Sequence, residues 1–166
     1  MTFEQIIEDH GDMVWRIALA QERNRAVAEE LYQEICFALW SARERIEGAD
    51  HPRAYVARIA MNQAVSHVRR EVQTPDIVEA RDDADPSAGP EDNLNRLHRQ
   101  QLLLAAVRQL PLNWRQPVTL TLEGFKPAEI AYVMGTSANT VSLRLSRARK
   151  ALKDLMQGQG HDHETQ

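Results

Sequence analysis

Apolar residues recur at three- and four-residue spacing along most of this chain, and the pattern fails in one long stretch. The order Thr-Phe-Glu-Gln at Thr2 to Gln5 predicts a helix start: the Thr2 hydroxyl caps the first turn, Gln5 returns the bond, and Phe3, Ile6 and Ile7 turn inward. A second helical stretch is predicted over about Met13 to Arg23, with Val14, Ile17 and Ala18 inward. From Val27 to Ile46, the residues Leu31, Ile35, Ala38, Leu39, Ala42 and Ile46 fall within an arc of roughly 100 degrees, a stripe that has to be buried. The stretch "EGADHP" is a loop, after which Val56, Ile59, Ala60 and Ala64 mark the inner face of a helix from about Arg53 to Arg70.

Further along, Leu94 to Leu110 is again apolar at helical spacing. Two prolines then bracket Trp114, and Leu120 and Leu122 follow, predicting one more supporting helix with Trp114 and Phe125 as core residues. Pro127 suits the first turn of a short helix that buries Ile130, Ala131 and Val133, and Gly135 supplies a left-handed stop. Ser137 then caps a helix in which Val141, Leu145, Ala148 and Leu152 share one face. Two helices joined by a tight glycine turn form a helix-turn-helix pattern.

The periodicity fails between Val72 and Asn93, where three prolines, one glycine and many acids stand among few large apolar residues. Such a segment cannot bury enough surface to order itself and reads as a flexible acidic linker. The predicted fold is therefore all-α: two small helical domains, residues 1–71 and 94–156, joined by a linker over 72–93 and followed by a disordered tail over 157–166.

Charge sharpens this division. The chain of 166 residues has a net charge of −4, yet residues 94–157 carry 10 Lys/Arg against 3 Asp/Glu. Residues 71–93 carry 1 against 8. A basic module inside an acidic protein suggests a polyanionic partner for that module alone. Acids farther away than the Debye length of about 8 Å at physiological salt do not cancel its local potential.

Three surfaces become candidates. On the last helix, the arc opposite the buried face holds Asn139, Leu143, Ser146, Arg147 and Lys150, with Thr140 and Arg144 on the flank. Arginine suits guanine or phosphate, lysine phosphate, and Leu143 a thymine methyl. On the helix after "EGADHP", Arg58, Asn62, Val65 and Arg69 line the outer face, with His67 and Arg70 nearby. Guanidinium neutralises phosphate, and an asparagine amide offers both a donor and an acceptor to a base edge. On the Val27 to Ile46 helix, Glu30, Gln33, Phe37, Trp40 and Glu44 form a stripe facing away from the local core, either a protein docking site or a surface covered by the first helices.

Other function classes lack support. Cys36 is the single cysteine, which excludes disulfide frameworks and cysteine-based zinc sites and points to the interior of a cell. The six histidines are scattered, and "HDH" at His161 to His163 lies in a polar tail, so no catalytic residue, cofactor or metal site is expected. "MTFEQIIEDHGD" lacks the basic start and apolar core of a secretion signal. "LLLAAV", the longest apolar run, is a third of a membrane span, so the protein is expected to be cytoplasmic, without membrane insertion.

These residues resemble a known family. "AEELYQEICFALW" looks like the polymerase-docking helix of region two of a bacterial sigma factor of the extracytoplasmic-function (ECF) type, and "HPRAYVARIAMNQAVSHVRRE" like its promoter-melting helix. "LPLNWRQPVTLTLEGFKPAEIAYVMGTSANTVSLRLSRARKAL" looks like region four. The likeness spans nearly everything but the linker and tail, with both halves in the family's order.

The resemblance implies a protein that binds core RNA polymerase, reads the −35 element of promoter DNA with the last helix and opens the −10 element with the first module. It implies that Glu30, Gln33, Glu34, Phe37 and Trp40 contact the clamp helices of the largest polymerase subunit, and that region four docks on the flap of the second-largest. Asn62 would help hold an unstacked −10 base, with the loop from Glu47 to Pro52 beside it. An anti-sigma factor would be the controlling partner. Two departures bear on promoter choice: Ser142 stands where the family often has a basic residue, and "ADHP" replaces the usual −10 loop residues. A stand-alone regulator using only the helix-turn-helix is the competing reading, distinguished by tight duplex binding without polymerase.

Overall fold

A computed structural model describes residues 2–73 and 91–164 of the chain, their side chains over 2–71 and 94–158. Among the described residues all regular structure is helical. Most of the proposed linker and the last two residues of the tail lie outside the described residues.

Helix α1 spans Phe3–Gln21 and starts as its sequence dictates. The Gln5 N–H donates to the Thr2 hydroxyl at 3.3 Å, and the Thr2 N–H donates to Gln5 Oε1 at 2.9 Å. The two helical stretches expected before Arg23 are one continuous helix. Gly11 inside it costs about 1 kcal/mol of propensity against alanine, and the packing of α1 on α2 and α4 carries the helix through it; a Cβ there would make only ordinary contacts, with Ile7 and Tyr32 at 3.4 Å.

Asn24 caps α2, Arg25–Ser41, accepting from the Ala26 N–H at 2.9 Å. The stretch expected to run unbroken to Ile46 instead breaks at Ala42, whose backbone leaves the helical region, and α3, Arg43–Glu47, follows. The Arg43 guanidinium donates to the Trp40 carbonyl at 2.9 Å and so satisfies one of the acceptors that the break leaves open. Helix α4, Pro52–Gln73, closes the first bundle.

Ile6, Val14 and Ile17 of α1, Leu31, Ile35 and Leu39 of α2, and Val56, Ala57, Ala60 and Ala64 of α4 are all fully buried together. The alanines let α4 approach its neighbours closely. Cys36 is half-buried; burial pushes its thiol above the ordinary range, against a hydrogen bond with Tyr32.

The second bundle consists of α5, Glu91–Gln109, α6, Leu112–Leu122, α7, Pro127–Met134, and α8, Ala138–Glu164. Val107, Leu110, Leu120, Phe125, Ile130, Val133, Val141, Leu145 and Ala148 form its core, with Trp114 packed against it. Leu122, in contrast, is exposed. Helix α8 continues past Met156, where the tail was expected to begin.

The two bundles are docked together. Helix α7 packs on α4, and α1 touches α5. Arg53 donates to the Glu123 carbonyl and lies 4.3 Å above the Phe125 ring. Arg108 donates to the Leu19 carbonyl at 2.8 Å, and Arg115 to Gln21 Oε1 at 3.3 Å. Burial holds both guanidiniums below their ordinary value, opposed by the charge of Glu22. The apolar cores of the two bundles run into one another.

Candidate nucleic-acid interface

The turn between α7 and α8 is built from local chemistry. The Lys126 N–H donates to Glu129 Oε1 at 2.9 Å at the start of α7, and Pro127 occupies the first helical position. Gly135 ends the helix with φ 67° and ψ 40°, a conformation that disfavours a side chain. The Thr136 N–H reaches back to the Ala131 carbonyl at 2.9 Å. Helix α8 begins two residues on, at Ala138, and the Thr140 N–H in its first turn donates to Ser137 Oγ at 3.1 Å.

Val141, Leu145 and Ala148 hold α8 against the core. On its outer side Asn139, Leu143, Ser146, Arg147 and Lys150 are exposed, Leu143 at 51 %, while Thr140 and Arg144 are half-buried. The Thr140 hydroxyl lies 2.8 Å from that of Ser137, part of the turn itself. A helix N-terminus flanked by exposed amides, a hydroxyl and cations suits a phosphate backbone with bases beyond it.

On α4, Arg58, Asn62, Arg69 and Arg70 are exposed along the predicted stripe. His67 is a correction: it is only 7 % exposed, and its ring points between α1 and α2 towards Glu22, Glu34 and Glu71, because the helical wheel turns it inward beside Ala64. It does not belong to the DNA-facing set. Arg70 donates to Glu34 Oε2 at 2.9 Å.

Part of the α4 stripe faces the second bundle: Asn62, Val65 and Arg69 line a cleft of about 350 Å³ whose far wall is Gln116, Val133 and Met134. Arg58 lies 5.1 Å from the Tyr132 ring centroid.

On α2, Phe37 is 72 % exposed and Trp40 45 %, with Glu30 and Gln33 exposed and Glu34 half-exposed on the same side. Trp40 also has an internal role, edge-on to Phe3 at 5.2 Å and beneath the Arg43 guanidinium at 4.0 Å. This face borders a groove of about 900 Å³ that runs across to Tyr55, Asn62 and Gln63 of α4. Sequence reasoning missed Arg45, Tyr55 and Gln63 as groove walls because they come from other helices, and no spacing along one helix signals them.

The fold and its surfaces define a two-bundle helical protein with a helix-turn-helix and a separate exposed aromatic face on α2. Residues 6–74 match the Sigma-70 region 2 family and residues 100–152 the Sigma-70, region 4 family. The chain is 30% identical to the RNA polymerase sigma factor CarQ of Myxococcus xanthus, over 93% of this chain and 88% of that protein. It is 28% identical to the ECF RNA polymerase sigma factor SigL of Mycobacterium tuberculosis, over 93% and 89%. The fold is similar to that of the sigma factor RpoE in its co-crystal with the anti-sigma factor NepR from Bartonella quintana, with a TM-score of 0.75, 24% identity, and 93% and 96% of the two chains covered. It is also similar to that of CnrH in complex with the cytosolic domain of CnrY, with a TM-score of 0.66, 23% identity, and 94% and 88% covered.

The chain belongs to the sigma-70 family of RNA polymerase sigma factors, in its ECF branch. It binds core RNA polymerase and directs promoter-specific initiation of transcription through −10 and −35 elements. Members of this class are non-catalytic initiation factors. Among the described residues no helix is long and apolar enough to cross a membrane.

Proposed function

We propose a division of labour among the surfaces. Asn139, Leu143, Ser146, Arg147 and Lys150 on α8, flanked by Thr140 and Arg144, read the −35 element. Arg58, Asn62, Arg69 and Arg70 on α4 engage the −10 element, with Asn62 holding a base taken out of the stack. Glu30, Gln33, Glu34, Phe37 and Trp40 dock on the clamp helices of the largest polymerase subunit, and the second bundle docks on the flap of the second-largest.

The observation that carries this reading is Phe37, a large aromatic left 72 % exposed on the side of α2 opposite a complete core. A ring of that size is more useful buried in a partner than in water. The docking of α7 beside the α4 stripe supports a second element: the cleft at Asn62 and Arg69 widens to admit DNA when the two bundles part on polymerase. Control by an anti-sigma factor fits the likeness to RpoE, whose co-crystal holds the anti-sigma factor NepR.

In vitro transcription with purified core polymerase tests the reading. The full chain should yield mapped start sites, and Phe37→Ala and Gln33→Ala should each weaken core association with unchanged helicity. Strong duplex binding without polymerase, and no start sites with it, would sink the assignment.

A further inference from the structure

The ring that left the DNA face has a different set of neighbours. His67 Nε2 is buried and makes no hydrogen bond. It points at two carboxylates: Glu71 Oε1 at 3.3 Å, one helical turn further along α4, and Glu22 Oε2 at 3.6 Å, at the C-terminal end of α1. One ligand atom from each residue lies within 4.8 Å of the others.

We propose that Glu22, His67 and Glu71 form a binding site for a divalent transition-metal ion of the zinc class. A tetrahedral ion with bonds of about 2.0–2.1 Å sets its ligand atoms about 3.3–3.4 Å apart; His67 Nε2 stands 3.3 Å from Glu71 Oε1, at that separation, and 3.6 Å from Glu22 Oε2, slightly beyond it. Glu71 is the most exposed of the three and sits near the end of α4. One imidazole with two carboxylates suits zinc or a neighbouring transition ion better than Mg²⁺ or Ca²⁺, which favour all-oxygen shells.

The surroundings fit an ion as well. Glu22 Oε1 accepts from the Asn24 N–H at 3.4 Å, which leaves Oε2 turned to the ring. His67 Nδ1 faces Glu34 Oε2 at 4.0 Å, so a small shift lets Nδ1–H donate there and presents the Nε2 lone pair to the metal. Arg108 and Arg115 lie near Glu22, but they donate to the Leu19 and Leu110 carbonyls and to Gln21 Oε1. An ion here ties the end of α1 to the last turns of α4, where the chain leaves the first bundle.

The test uses the full chain freed of metal by a chelator, in a His161→Asn/His163→Asn background that removes the tail histidines. Zn²⁺ is titrated by calorimetry, and Co²⁺ by the visible absorption of a tetrahedral complex. The expected result is one ion per chain, a rise in thermal midpoint with Zn²⁺, and about tenfold or greater weakening in Glu71→Gln and in Glu22→Gln with unchanged helicity. If Glu22→Gln does not fold, Glu71→Gln decides, since that side chain is partly exposed near the helix end. Absence of uptake, uptake lost with the tail histidines, or uptake indifferent to the glutamate variants would overturn the site.

Discussion

Arg16 of α1 and Glu123 at the end of α6 form a two-point ion pair across 107 positions of sequence, Nε to Oε1 at 2.6 Å and Nη2 to Oε2 at 2.9 Å. The Glu123 side chain is 8 % exposed, whereas Arg16 is largely in solvent. The hydrogen bond to Glu123 holds the Arg16 guanidinium above its ordinary value. With Arg53 on the backbone carbonyl of Glu123, this pair latches the first bundle to the second.

Arg16→Ala leaves a nearly buried carboxylate without its charged donor. Because Arg16 itself is half in water, the docked form should lose about 1–2 kcal/mol, less than for a fully buried pair. Small-angle scattering of the free protein should show a larger radius in the variant, and Arg16→Lys should recover only part of the difference, since lysine cannot make the fork. An identical radius in the Arg16→Ala protein and the parent would remove the latch.

Asn62 stands where the α2–α4 groove and the cleft beneath α7 meet. Replacing it with alanine should reduce open-complex formation, followed by permanganate reactivity of unpaired thymines, more than it reduces polymerase binding. Equal losses in both would place Asn62 in docking instead of melting.

Arg147 is exposed on the outer face of α8, free of the core contacts that hold Leu145 and Ala148. If it makes a bidentate base contact, Arg147→Ala should cost about 1–3 kcal/mol of −35 affinity and relax selectivity at one base position. Lys150→Ala should weaken binding evenly across sequences and lower the salt dependence by about one counterion. Binding titrations on a panel of −35 variants at two salt concentrations separate the two roles.

Gly135 and Gly11 should respond to alanine with opposite signs. At Gly135 no atom would meet a Cβ within 4 Å, but φ is 67°, so Gly135→Ala should destabilise by about 1 kcal/mol through backbone strain alone. At Gly11 the backbone is helical and the closest contacts, at 3.4 Å, are ordinary, so Gly11→Ala should be neutral or stabilise by up to about 1 kcal/mol. Thermal melts of the two variants against the parent check the pair.

The sequence by itself determined what depends on near neighbours. The Thr2 and Ser137 caps, the left-handed turn at Gly135, the buried faces of α2 and α8, and the exposed Leu143 all follow from hydrogen bonds within one turn or from a periodicity of 3.6 residues; whether the first helices cover Phe37 did not. The single run of α1 through Gly11 and the break of α2 at Ala42 lay beyond it, because each is decided by packing on another helix. So did the inward turn of His67, which a polar neighbourhood in sequence had put on the DNA side, and its meeting with Glu22. The docking of the two bundles through Arg16 and Glu123 belongs to the same class. Residues 107 positions apart carry no shared local signal, and only the folded chain brings a carboxylate of one bundle under an arginine of the other.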